Sequence, residues 1–289
     1  MQTNAPETMG VIYRLQLSQL HPHPQNPFSI RDDQAMLDLI QSVQSHGVLV
    51  PAIARPRPDG EYEIIAGHRR KHASELAGLD FMPVVVLDLN DDEAIIQLVD
   101  SNIQRENILP SERAKAYKMR MEAMKRQGAR TDLTSPNISA KFRSDDELGQ
   151  EVGVSGDTIR NYASLTNLVP ELMQMVDEGR IKLSPAYQIA ALPHNEQSLL
   201  LDTIESEQAT PSLSQAQRMK RLSQNGELNE DVLLEIMMEQ KMPVRNDITL
   251  SGEKLRKYFP KSYSPIQMEN VIFKLLEAWQ RKRQRDQSR

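Results

Sequence analysis

The sequence contains no cysteine, which excludes disulfide bonds, thiol catalysis and cysteine-ligated zinc. Aromatic residues make up only 4% of the chain, whereas methionine occurs 14 times. The cores must therefore consist of aliphatic side chains and methionine, a composition that favours helices. There is no run of about 18 apolar residues that could span a membrane, and no basic-then-apolar segment typical of a secretory signal. These absences predict a cytoplasmic protein with no membrane partner.

The chain also lacks an overall excess of basic charge, because its formal net charge is -5 over 289 residues. This balance excludes a protein coated with positive charge. It is compatible with a nucleic-acid binder whose basic residues lie on one face. The length suits two or three small domains.

Hydrophobic patterning predicts an α/β domain followed by helical domains. Apolar residues alternate at Val11–Leu17, as in a strand, and recur at helical spacing from Asp32 to His46. Gly128–Ala140 is rich in small and polar residues and predicts a loop. The predicted segments are an N-terminal α/β domain at residues 1–108, a helical domain at 109–208, a linker with one short helix at 209–230, and a small, mostly helical C-terminal unit at 231–289.

The segment Asp100–Ala114, DSNIQRENILPSERA, predicts an anion-binding helix entrance. Pro110 fits the first turn of a long helix, where its missing N–H costs nothing. Asn102, Gln104 and Arg105 precede that turn, where backbone N–H groups and the helix dipole favour anions. The residues therefore indicate a place to hold phosphate.

A second phosphate-binding motif is GHRR, at Gly67–Arg70, directly after a predicted strand. Glycine allows close approach of the backbone, and the two arginines offer forked donors for phosphate oxygens. Alone, such a pair is more often a solvated surface feature. Because each motif follows an αβ element of the same domain, we expect both to open on one pocket.

The run Asp145–Tyr162 predicts a helix-turn-helix. Gly153 falls at the position of the sharp turn and Gly149 at a position that requires a small residue. The alternative is a plain helical hairpin. The apolar positions of the pattern are filled by Leu148, Val152, Val154, Ile159 and Tyr162.

The second helix of this run would enter the major groove of DNA, because arginine, asparagine and hydroxyl side chains there can contact bases or phosphates. Asp157 on the same face is an objection, since it repels phosphate. The predicted DNA-binding residues are Ser155, Thr158, Arg160 and Asn161, supported by Lys141 and Arg143 just upstream.

Both phosphate motifs, in this order and followed by the helix-turn-helix, closely resemble the ParB/RepB partition protein family over residues from about 12 to 208. The family signatures are GERR and ENxxRxxLxPxExA, against GHRR and SNIQRENILPSERA here. In this family the N-terminal domain binds CTP with Mg²⁺ and hydrolyses it slowly. Nucleotide binding closes a dimer into a clamp that slides along DNA.

The resemblance implies a role for each matching residue. Asn102 and Ser101 fall at the magnesium-binding position. By position, the implied nucleotide-binding residues are Arg55, Gly67, Arg69, Arg70, Asn102, Arg105 and Glu106.

Three residues depart from the family pattern. His68 replaces the glutamate of GERR, Ser101 replaces the glutamate before Asn102, and Val50 stands where many members have glutamine before the proline. Ser101 offers magnesium less charge than a carboxylate does. The resemblance therefore implies nucleotide binding, and leaves open both CTP hydrolysis and selectivity for cytosine.

The resemblance also implies partners. These are double-stranded DNA, a second copy of the chain and a ParA-type ATPase, with a location on the nucleoid and a role in partitioning a plasmid, mobile element or chromosome. The alternative is a mobile-element transcriptional regulator with the same fold. The apolar face of a helix at Pro265–Trp279 is either ordinary core or a dimerisation surface, and the basic run Arg281–Arg285 is either a solvated helix end or a DNA contact.

Overall fold

The computed structural model describes residues 11–105, 108–132, 144–239, 255, 257–260 and 262–287. The chain divides into two compact units, residues 1–239 and 240–289. The first unit has the predicted order, an α/β domain followed by helices that include a helix-turn-helix.

The α/β domain is built on a five-stranded mixed sheet in the order β1-β5-β3-β4-β2. Neighbours alternate, with β1 antiparallel to β5, β5 parallel to β3, β3 antiparallel to β4 and β4 parallel to β2. Small side chains at Ala52 and Ala54 and larger ones at Ile64 and Val84 are fully buried in its core. The strands are β1 at Ile12–Gln16, β2 at Leu20–Pro22, β3 at Ala52–Pro56, β4 at Tyr62–Ala66 and β5 at Phe81–Val86.

Three helices complete this domain, and each of the two longer ones begins at a capping side chain. Asp33 accepts a hydrogen bond from the Met36 N–H, and Asn90 forms a capping box with Glu93. Gly47 ends the first helix with a positive φ of 71°. The helices are α1 at Gln34–His46, α2 at His68–Leu76 and α3 at Asp91–Asp100.

Helix α4, Pro110–Asp132, leads out of the α/β domain. It begins at Pro110 as predicted but continues through Gly128 to Asp132, so the prediction of a loop from Gly128 was wrong for its first five residues. A single glycine costs a helix only about 1 kcal/mol, and no proline occurs before Pro136 to stop it. Residues 133–140 of the predicted loop lie outside the described residues.

The remaining helices of the first unit pack around one aliphatic core. Segment 209–230, predicted as a linker with one short helix, contains α10, whose Ala216 and Met219 are fully buried together with Leu233 and Ile236. That helix is therefore a packed part of the core. The helices are α5 at Ser144–Val152, α6 at Gly156–Ser164, α7 at Pro170–Asp177, α8 at Leu183–Ile189, α9 at His194–Glu207, α10 at Leu213–Gln224 and α11 at Glu230–Met238.

The second unit contains the long helix α12, Pro265–Gln287. Met268 is buried, whereas Leu275, Leu276 and Trp279 on the predicted apolar face are exposed. Among the described residues, no helix combines the length and apolar character that crossing a membrane requires.

Candidate functional site: an arginine-lined cavity next to a helix-turn-helix

Gly67 forms the sharp turn between strand β4 and helix α2. Its φ of 102° lies in the region that disfavours L side chains, and a Cβ atom added there would come within 2.9 Å of the Cβ atom of Ala52. Only glycine therefore lets α2 begin at His68, directly behind the sheet. This turn places the first residues of α2 at the carboxyl end of β4.

Arginines from both phosphate motifs line one cavity of about 280 Å³. Arg69 reaches it from the first turn of α2, and Arg105 from the segment between α3 and α4. The loop before α1 contributes Arg31 and Asp33 to the lining. Glu112, from the first turn of α4, also lines the cavity.

Positive charges are concentrated at this cavity. The pKa of Arg105 is lowered, first by burial and then by the charges of Arg69 and Arg70, although Glu112 opposes the change. A guanidinium beside other cations is stabilised by any anion that enters. The cavity is therefore electrostatically suited to an anionic ligand.

Two carboxylates of the cavity already have partners. The Asp33 Oδ1 atom accepts from the guanidinium of Arg69 at 3.2 Å and also caps α1. Glu112 accepts from the backbone N–H of Ser29 at 3.0 Å and from that of Leu109 at 3.2 Å, which ties the loop before α1 to the start of α4.

Sequence reasoning missed Arg31, Asp33 and the contact of Ser29 with Glu112. The loop that carries them has no motif, and its closeness to α2 depends on the topology of the sheet. The one available signal was Asp33, a residue type that favours the N-cap, just before a helical pattern.

Two of the predicted nucleotide-binding arginines do not line the cavity. Arg70 donates to the backbone carbonyls of Val50 and Pro51, where it holds the chain at the start of β3. Arg55 is paired with Glu63 at 2.6 Å and with Asp91 at 2.8 Å. Their nucleotide contacts stay predictions. Glu106 lies outside the described residues.

Ser101 and Asn102, at the predicted magnesium-binding position, are joined by hydrogen bonds. Asn102 is buried, and its Nδ2 atom donates to the carbonyl of Leu98 at 2.8 Å and to Ser101 Oγ at 3.0 Å. The Ser101 hydroxyl donates to the same carbonyl at 2.9 Å. These bonds are donated by the Asn102 amide nitrogen and the Ser101 hydroxyl, so they leave the Asn102 Oδ1 atom unused. The magnesium contacts of both residues stay predictions.

His68, which stands where the resemblance implies a glutamate, is a buried neutral residue. Burial lowers its pKa to about 4, helped by the positive charge of Arg105. Across the described part of the chain, its Nε2 atom has no hydrogen-bond partner. A neutral ring leaves the charge of the neighbouring arginines available to a ligand, whereas a carboxylate would offset it.

Helices α5 and α6 form the predicted helix-turn-helix. Gly153, with a φ of 73°, makes the turn. A Cβ atom at Gly149 would come within 2.6 Å of the Val154 carbonyl oxygen, which explains the small residue at that position. Leu148 and Ile159 are fully buried between the helices, so the pair packs as one rigid element.

The predicted DNA-binding residues of α6 differ in their contacts. Ser155 caps the helix by accepting from the Thr158 N–H, and its hydroxyl contacts that of Thr158 at 2.9 Å. Arg160 is paired with Asp145 and Asp157. Asn161 is exposed, and its side chain makes no hydrogen bond to the rest of the described chain. Lys141 and Arg143 lie outside the described residues.

Arg120 of α4 joins the segment that carries the phosphate motif to the helix-turn-helix. Its side chain is only 4% exposed, and it donates to Asp100 at 3.2 Å and to Glu151. Asp100 ends α3, five residues before Arg105, and Glu151 lies on α5. Arg120 therefore ties the end of α3 to helix α5 of the helix-turn-helix.

Comparison with known proteins agrees with this two-part arrangement. Residues 1–103 match the family model of the ParB N-terminal domain, and residues 137–212 match that of the ParB HTH domain. The chain is 32% identical over 187 residues to the chromosome-partitioning protein Spo0J of Thermus thermophilus. That alignment covers 65% of this chain and 62% of the relative, so the chain spans about three fifths of the relative's length.

Two solved structures of the C-terminally truncated chromosome-partitioning protein ParB from Caulobacter crescentus are also similar. The one complexed to the centromeric parS site is 25% identical, with a TM-score of 0.45, and the match covers 74% of this chain and 99% of that chain. The one complexed with CTP-gamma-S is 29% identical, with a TM-score of 0.32, and the match covers 63% of this chain and 93% of that chain. On the two matched domains and their order, the chain belongs to the ParB family.

Proposed function

We propose that this chain is a ParB-like DNA partition protein that binds a centromere-like site through α5 and α6 and is switched by a nucleotide in the arginine-lined cavity. One observation carries the nucleotide part. Arg69 and Arg105 come from two separate sequence motifs and line the same cavity. The match to the ParB HTH domain begins at residue 137, after α4, which supports a link between the ligand cavity and the DNA-binding helices.

The ligand we assign to the cavity is the phosphate portion of CTP. The cavity volume of about 280 Å³ lies at the lower limit of ligand pockets, which have volumes from ~300 to ~1,000 Å³. That volume suits a polyphosphate better than a whole nucleotide. Arg69 and Arg105 would hold the phosphates and, through them, join the start of α2 to the segment before α4. The choice of CTP rests on family membership.

DNA binding would use the exposed face of α6. Ser155 and Asn161 are exposed there, and Thr158 is half-buried beside them. Arg160 contacts DNA only if it exchanges Asp145 or Asp157 for a phosphate, so we assign it a secondary role. Nucleotide binding would shift α3, and α5 would move with it because Arg120 connects the two helices. This shift would favour one DNA-binding conformation of the protein over another.

The biological role that follows is partition of DNA by a homodimer on the nucleoid, with a ParA-type ATPase as partner. Slow CTP hydrolysis is a separate activity, for which the described residues supply no carboxylate at position 68 or 101. No observation favours the alternative of a mobile-element transcriptional regulator.

The deciding experiment titrates CTP, ATP and GTP into the full chain by calorimetry, with and without DNA carrying the binding site. We expect CTP to bind, and Arg105→Ala to weaken it at least about a hundredfold, because a charge-assisted contact from a half-buried arginine is lost. DNA-site binding without nucleotide should stay within about twofold, since Arg105 lines the cavity and does not belong to α6.

Arg57→Ala is the matched control, because Arg57 pairs with Asp59 on the β3–β4 turn, outside the cavity. If no nucleotide binds at millimolar concentration, the switch is refuted. Equal loss of DNA binding and nucleotide binding in Arg105→Ala would assign this arginine to DNA instead.

A further inference from the structure

We propose that the loop before α1 supplies two further determinants of ligand affinity: Arg31, a third phosphate-binding arginine, and Asp33, an internal competitor for the phosphate. The inference rests on the proposed nucleotide function and deepens it. Neither residue belongs to the phosphate motifs.

Arg31 is an available cation of the cavity. It lines the same cavity as Arg69 and Arg105 but comes from the loop before α1. Within the described ranges its guanidinium makes no hydrogen bond or ion pair, and its side chain is exposed. An arginine in this position can turn to a phosphate without breaking an existing contact, and its planar fork fits two phosphate oxygens.

Asp33 forms an ion pair with Arg69, one of the proposed phosphate-binding arginines. Its Oδ1 atom lies 3.2 Å from the Arg69 guanidinium, so a carboxylate already sits where an anionic ligand would bind. The described lining carries three arginines against the two carboxylates Asp33 and Glu112. A polyphosphate must therefore displace Asp33 from Arg69 or bind beside it against like-charge repulsion.

The two residues should have opposite effects on binding. Removing Arg31 takes away an attractive contact, whereas neutralising Asp33 removes a competitor and a repulsive charge. Asp33 also caps α1, but asparagine is an equally good N-cap, so Asp33→Asn keeps the hydrogen bond from the Met36 N–H while deleting the charge.

The test measures the dissociation constants of CTP and of inorganic triphosphate for the full chain by calorimetry. We expect Arg31→Ala to weaken both ligands about tenfold and Asp33→Asn to tighten both by a few fold. Circular dichroism of each variant should match that of the parent. A mere disturbance of the loop would weaken binding in both variants, so tighter binding by Asp33→Asn is the distinguishing result.

The outcomes separate this inference from the proposed function. If Arg105→Ala abolishes CTP binding while Arg31→Ala and Asp33→Asn bind like the parent, the cavity binds nucleotide and the inference is wrong. If CTP does not bind but triphosphate binds with the expected opposite effects, the inference stands and the CTP assignment fails. If neither ligand binds, both are wrong.

Discussion

At the scale of single residues, His68 couples the phosphate-binding turn to pH. Its pKa is about 4 in the folded chain and 6.5 for an ordinary histidine, so protonation opposes folding. Above pH 6.5 His68 is neutral in both the folded and the unfolded chain, so the free energy of unfolding keeps its full value. That free energy falls as the pH decreases from 6.5 towards 4, because the unfolded chain then binds a proton that the folded chain does not. The difference corresponds to about 3 kcal/mol in the free energy of unfolding.

We therefore expect His68→Gln to flatten the fall in stability between pH 6.5 and 4, measured by urea unfolding at several pH values. A smaller slope should persist, because burial also lowers the pKa of His23. His194→Gln, at an exposed histidine, is the control and should keep the slope of the parent. A variant at position 68 with an unchanged slope would show that His68 is not the group responsible.

At the scale of secondary-structure elements, Arg120 holds α3, α4 and α5 together. Its buried guanidinium is compensated by Asp100 and Glu151, whose side chains are 42% and 50% exposed. Arg120→Met should lower the free energy of unfolding by about 2 kcal/mol. This is less than the ~3–5 kcal/mol for breaking a fully buried pair, because water solvates the two carboxylates that are left.

The same variant should increase hydrogen exchange in α5, because Glu151 loses its tie to α4. Lys118→Met is the matched control on the same helix: Lys118 is exposed and bonded only weakly to Thr166, at 3.3 Å. It should change stability by less than about 0.5 kcal/mol. Equal effects of the two substitutions would contradict a bracing role for Arg120.

The elements themselves followed closely from local sequence. Hydrophobic periodicity and the stop at Gly47 predicted strand β1 and helix α1, Pro110 marked the start of α4, and the spacing of Gly149 and Gly153 located the helix-turn-helix. These signals are short-range, because a cap or a turn depends on neighbours within a few residues.

Contacts between distant segments were not predictable in this way. Arg31 and Asp33 face Arg69 only because the sheet topology brings the loop before α1 beside α2. Arg70 was predicted to bind phosphate because it neighbours Arg69, but its side chain extends to the Val50 and Pro51 carbonyls. Adjacent side chains on a helix point in directions about 100° apart, so one motif can serve both ligand and scaffold.

At the scale of the whole molecule, the exposed apolar face of α12 is a candidate surface for self-association. Leu275, Leu276 and Trp279 are 64%, 53% and 58% exposed, although they continue a helical stripe with the half-buried Ile272. Exposed apolar stripes on a long helix are typical of surfaces that bind a partner. We propose that a second copy of the chain covers this face and forms the homodimer.

Replacing both Leu275 and Trp279 with glutamate should convert the dimer to a monomer of 32.9 kDa in sedimentation analysis, because two charges would have to be buried in the interface. Asn270→Glu adds a charge on the opposite face of the helix, where it is exposed, and should leave the dimer intact. Nucleotide binding by the monomeric variant should persist, since the arginine-lined cavity is formed within residues 1–239. If the double variant still sediments as a dimer, the association surface lies elsewhere in the chain, and α12 has another partner.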